Sequence, residues 1–255
     1  MFLRKTFLSL ILTSLSWTAT AQDTDTIPNI FIEKAKSSEK SNIQEWVDES
    51  LKVLQSEEFY ENLKTLESKY PEVWLSKYEK TRTISQLTEI LKAKDPAKED
   101  EAYLPTGIRM KGKSKKDNTR YIGYKGNTFA SIGPRSSRKS LPLKMRLGRV
   151  HLDRYVTGDI VEKSCAINTM THEISHTLSI SSTKLQSYFL DIPAGLAPPG
   201  VPSASYFIGT VAQCTYLQKN GRITKDQFEG CMAVFVAQPF PSSRCNDFPD
   251  GKLLE

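Results

Sequence analysis

Residues 169–179 read TMTHEISHTLS, and inside them stands His172-Glu173-Ile174-Ser175-His176. Residues four apart on a helix lie on one face, so His172 and His176 present two imidazoles side by side. Glu173 sits one step round from them. Two imidazoles can ligate one zinc ion, and a carboxylate at that offset reaches a metal-bound water and takes its proton. The chain has 3 histidines, and two of them are in this motif. With this composition, H-E-x-x-H arises by chance in only a few of roughly a thousand such chains. Met170, Thr171, Ile174, Ser175, Thr177 and Leu178 are uncharged, as a buried helix beside a cleft requires, and no proline interrupts them. The bland alternative is a helix with two packed histidines, which needs no glutamate at that offset.

Through His172, Glu173 and His176 the segment resembles the active-site helix of the zincin metallopeptidases. The resemblance implies that the histidines are zinc ligands and Glu173 the general base. It also implies a twisted sheet packed over the helix, with an edge strand lining a cleft for a peptide substrate. Met145 to Leu152 is the candidate for that strand.

Zinc needs a third protein ligand, with the fourth position left for water. The metzincin pattern would place a glycine at 179 and a histidine at 182, where this chain has Ser179 and Ser182. No histidine follows His176, so the third ligand is expected to be a carboxylate. Asp191 is the nearest after the motif. The stretch SASYFIGTVAQCTYL (203–217) is similar to the helix that follows the site in aspzincins, the deuterolysin-like peptidases, which use an aspartate there. Their Gly-Thr-x-Asp signature is absent and the spacing is longer. Glu229, on a downstream helix as in gluzincins, is the rival, and His151 is a further one. Tyr206 and Tyr188 are candidate donors to an oxyanion, a role tyrosine fills in zincins.

Upstream of the motif the chain is strongly basic. Residues 109–149 contain thirteen Lys or Arg against Asp117 alone, so 13 − 1 = +12, while the whole chain carries +6. Short β-like runs lie at Arg120–Tyr124, Thr128–Ile132 and Met145–Leu152. Such a patch can grip a polyanion (nucleic acid, anionic lipid headgroups or an acidic envelope polymer), or it can be a solvated loop with lysine-protected strand edges. Nucleic acid is not expected, since no aromatic stacking platform accompanies the charge.

Residues 42–95 read as helical. Ile43, Trp46, Val47, Leu51, Leu54, Phe59, Leu63 and Leu66 keep one stripe. Pro71 suits the first turn of a helix with Val73, Trp74 and Tyr78, and another spans Thr83 to Lys92. After the motif, helices are expected near Ala204–Lys219, ended by Asn220-Gly221, and from Thr224 to about Ala237. The run KNGRITKDQFEG has no carboxylates at calcium-loop positions, and no P-loop or G-x-G-x-x-G occurs.

The first 21 residues have the form of a secretory signal: Arg4 and Lys5, an apolar stretch from Phe7 to Trp17, then Ala19-Thr20-Ala21. Export permits disulfides among Cys165, Cys214, Cys231 and Cys245, with three pairings open. The cysteines lack the close spacing of a zinc site.

The expectation is therefore an α+β protein. A signal peptide over 1–21 and a flexible start over 22–41 precede a helical region over 42–100. A zincin-like domain over 101–255 follows, with a small twisted sheet on the HExxH helix. The activity implied is that of an exported, periplasmic or secreted, zinc metallopeptidase acting on peptides or proteins. The alternative is a non-catalytic exported protein that uses its basic segment on an anionic polymer and keeps a structural or vestigial zinc site.

Overall fold

The structure is a computed structural model that describes residues 31–33, 35–76, 80–92, 107–111, 130–131, 144–178, 180–181, 184–187, 189 and 200–236. In chain order the elements are β1 (Phe31–Glu33), α1 (Ser37–Leu54), α2 (Glu57–Thr65), β2 (Glu72–Ser76), β3 (Lys80–Thr83) and α3 (Ile84–Lys92). Then come β4 (Gly107–Lys111), β5 (Ala130–Ser131), β6 (Lys144–Gly148), α4 (Arg149–Thr157) and α5 (Ile160–Leu178). The last are β7 (Ile180–Ser181), β8 (Lys184–Ser187), α6 (Ala204–Lys219) and α7 (Phe228–Val236). The described residues are mostly helical with small sheets, which is compatible with an α+β arrangement. One sheet has the order β1-β4-β6-β5, with β1, β4 and β6 parallel and β5 antiparallel to β6. Two further antiparallel pairs among the described residues are β2-β3 and β7-β8.

Helix α6 lies at the centre. From Ala204 to Leu217 every residue but Tyr206 is buried, as expected of a helix without a polar face. Its C-terminus is closed by Gly221, whose φ of 69° suits a residue without Cβ. Gly221 N–H donates to the Gln218 carbonyl and Arg222 N–H to that of Leu217, the Schellman pattern that satisfies the last carbonyls. The Cys214–Cys231 disulfide ties α6 to α7, and Cys165 is disulfide-bonded too.

Helix α5 packs along α6. Asp159 caps it, its Oδ1 accepting from the N–H groups of Val161 and Glu162 at 2.9 Å each. The contact carries a buried polar ladder: Asn168 Nδ2 donates to Gln213 Oε1 at 2.7 Å, and Gln213 Nε2 to Ser164 Oγ at 3.2 Å. Asn62 of α2 joins α6 in the same way, donating to Thr215 Oγ1 at 3.0 Å and Gln218 Oε1 at 2.9 Å. Paired polar groups carry little burial penalty and fix the register of the helices that share them.

One apolar core joins the described helices and β2. Ile43, Trp46 and Leu51 of α1, Phe59 and Leu63 of α2, Met170 and Ile174 of α5, and Phe207 and Val211 of α6 all belong to it. Trp46 stacks on Tyr155 of α4 with ring centroids 5.9 Å apart. The Tyr155 hydroxyl donates to Glu49 Oε2 at 2.7 Å. Burial, then that bond and the Glu49 charge, holds the Tyr155 hydroxyl far above its usual range; Tyr216 is pushed up to about 12, by burial first and then by Glu49. The helical region is thus not packed separately from the half that carries the histidines.

Several local expectations are corrected. The stripe over 42–66 is two helices, because Ser56 interrupts it and caps α2, accepting from Phe59 N–H at 3.3 Å. Helix α1 starts at Ser37, and Phe31–Glu33 pairs with β4, so ordered structure begins inside the stretch expected to be flexible. The expected helix after Pro71 is strand β2. Val73, Trp74 and Leu75 are all buried in succession, and a strand covered on both faces shows no alternation to distinguish it from a buried helix. The expected strand Met145–Leu152 ends at Gly148, where α4 begins. The last helix starts at Phe228, and within the run Thr128–Ile132 the described residues, Ala130–Ser131, pair with β6. Residues 1–21 and 120–124, Tyr188, Asp191 and Cys245, for which the sequence raises expectations, lie outside the described residues.

Candidate metal centre

The motif occupies the last two turns of α5. Its polar positions can be buried because their hydroxyls bond within the helix. Thr171 Oγ1 donates to the Ile167 carbonyl at 2.8 Å, Ser175 Oγ to that of His172 at 2.6 Å and Thr169 Oγ1 to that of Cys165 at 3.1 Å. The helix therefore enters the core on nearly every side. His172, Glu173 and His176 are 6%, 4% and 9% exposed.

The two imidazoles meet edge to face, with ring centroids 4.9 Å apart. Their Nε2 atoms are 3.3 Å from each other. Two nitrogens bound to one zinc at 2.0–2.1 Å with a tetrahedral angle lie about 3.3 Å apart, which the separation of this pair matches. Nδ1 of His176 contacts the carbonyl oxygen of Phe189, which is fully buried in the segment after β8. A carbonyl only accepts, so Nδ1 carries the proton and Nε2 the lone pair. A ligating histidine is oriented in this way by its second nitrogen. Glu173 Oε1 lies 4.0 Å from His172 Nε2, beside the paired nitrogens.

Tyr206, in the first turn of α6, lays its ring against His172 at 4.5 Å between centroids. The structure thus brings together His172, Glu173, His176 and Tyr206 out of the residues singled out in the sequence. Glu229 is apart from them: its side chain is 56% exposed and 3.7 Å from Lys69 Nζ. His151 lies on α4 rather than on a strand, with Nδ1 3.3 Å from Thr169 Oγ1. Burial, with a contribution from Arg154, lowers its pKa to about 3, so it stays neutral in the fold. Among the described residues no group of three or more His, Cys, Asp or Glu is placed to hold a metal. The third donor proposed from the sequence, Asp191, lies outside them.

Two contributors were not identified from sequence. The Phe189 carbonyl leaves no mark in a sequence. Gly209 did leave one, as a glycine inside a helix. A Cβ there would sit 2.6 Å from Asn168 Oδ1, 3.0 Å from the Asn168 carbonyl oxygen and 3.2 Å from His172 Cβ. Glycine at this position lets α6 close onto α5 at the turn that carries His172. Helix propensity alone would favour alanine by about 1 kcal/mol. The contact reverses that sign: Gly209→Ala is expected to destabilise by about 1–3 kcal/mol in urea unfolding. Unchanged or raised stability would mean that the two helices have room to spare.

Compared with known proteins, the chain matches no family model, no curated protein and no solved structure.

Proposed function

We propose that the protein is an exported zinc-dependent metallopeptidase, with His172 and His176 as two of the zinc ligands and Glu173 as the general base. The observation that carries this reading is the 3.3 Å separation of two buried Nε2 atoms beside a buried carboxylate. Buried ionisable side chains gathered at one place mark functional sites more often than structural ones. Zinc, when bound, supplies a Lewis acid that polarises a carbonyl and lowers the pKa of water. Asp191 is the third ligand in this reading.

The roles of the side chains follow from their chemistry. Glu173 accepts a proton from the attacking water and delivers it to the leaving amine. The Phe189 carbonyl holds the His176 ring with Nε2 turned toward Nε2 of His172. Tyr206 lies at the ring of His172, from which its hydroxyl would donate to the developing oxyanion. The zincin-like character of the domain and its secretion belong to the same proposal. Among the described residues no helix is long and apolar enough to cross a membrane.

Removing the metal tests the reading directly. Dialysis against a chelator is expected to abolish hydrolysis of an unfolded protein such as casein. One equivalent of zinc should restore it, while magnesium or calcium should not, since imidazole suits zinc better than either. Hydrolysis that persists in the chelator would rule the mechanism out.

A further inference from the structure

Strands β4 and β6 pair in parallel, with Gly107 opposite Lys144, Arg109 opposite Arg146 and Lys111 opposite Gly148. Residues level across a ladder share a face, and so do alternate residues along a strand. Arg109, Lys111, Lys144 and Arg146 therefore all fall on one face of the sheet, and Ile108, Met110, Met145 and Leu147 on the other. The outer strands keep this division: Ile32 is level with Ile108 and Ala130 with Leu147, while Glu33 is level with Arg109 and Ser131 with Arg146.

The basic positions form a stripe. Lys144 stands in the first row, Arg109 and Arg146 share the second, and Lys111 stands in the third. Rows on one face are about 6.6 Å apart and neighbouring strands about 4.8 Å, so the stripe runs about 13 Å along the strands. Arg109 and Arg146 are level with each other, and like charges so placed repel. Glu33, level with Arg109 on the outer strand, is one carboxylate against four cations, so the face keeps an unbalanced positive charge that an anion over it would offset.

We propose that this face binds a linear phosphate-bearing polyanion. Arginine forks match phosphate oxygens in pairs, and the rows repeat at a spacing a linear chain of anionic groups can follow. The described strands favour such a chain over a nucleic acid, since among them this face carries one aromatic position, Phe31, where single-stranded nucleic acid takes a run of stacking rings. The proposal is independent of the metal centre and holds for a catalytic or a non-catalytic protein.

The test measures binding of linear inorganic polyphosphate to the full chain across a range of salt concentrations. The Arg109→Gln/Arg146→Gln double variant is expected to bind at least 10-fold more weakly, with the slope of log affinity against log salt reduced by about 1.4. Lys111→Gln/Lys144→Gln should act in the same direction and gives an independent reading if the arginine variant fails to fold. Lys52→Gln/Lys64→Gln removes the same charge from exposed positions on α1 and α2 and should leave affinity within about twofold. An equal loss in that control would reduce the effect to net charge and overturn the proposal. So would absence of binding by the unmutated chain, or tighter binding of a single-stranded oligonucleotide of equal charge.

Discussion

Glu173→Gln is expected to keep the bound zinc and to lower peptide hydrolysis by about 10²–10⁴-fold, the usual worth of a positioned general base. Glutamine matches glutamate in size and can take its place at 4% exposure beside His172. What it lacks is the ability to take up a proton. The histidines are untouched, so metal stoichiometry should stay at the unmutated value. Thermal stability should hold or rise, because the change removes a charge from a buried position. Turnover of a protein substrate, with zinc content measured on the same sample, separates the outcomes. Full activity in the variant would remove Glu173 from the mechanism. Lost activity together with lost zinc would make it a structural support of the site.

Trp46→Ala is expected to cost about 3–5 kcal/mol, the range for removing a large buried ring. Trp46 is fully buried and stacks on Tyr155, and it lies in the same core as Met170 and Ile174 of the histidine helix. The larger consequence concerns architecture. A separate helical domain would unfold alone and leave the metal centre intact. A shared core predicts one cooperative urea transition, moved to lower denaturant, with zinc released along it. Two transitions, the later one coinciding with zinc release, would contradict the shared core.

The sequence discloses more of the site than of the fold around it. H-E-x-x-H fixes its own geometry, because helical spacing alone brings His172 and His176 to one face. Helix α6 was legible from Ala204 to Lys219, since Asn220-Gly221 ends it with a recognisable signal. Strand β2 was not, because Val73, Trp74 and Leu75 are buried in succession and carry no period. The break at Ser56 was hidden by an apolar stripe that continues across it. The boundary at Gly148 was missed because Met145 to Leu152 is apolar enough for either structure. The shared core was invisible for a different reason. It depends on contacts such as that between Asn62 and Thr215, 153 residues apart, which no local pattern encodes. The Phe189 contact to His176 is likewise made by a backbone atom.

The most direct measurement is the metal content of the protein purified without chelator, beside a His176→Ala variant. The account predicts about one zinc per chain in the first and none in the second, as a tetrahedral site that loses a ligand from a preformed pair binds far more weakly. No zinc in the unmutated protein, even after zinc is added back, would contradict it. The 3.3 Å approach of His172 and His176 would then be a hydrogen bond between two packed imidazoles.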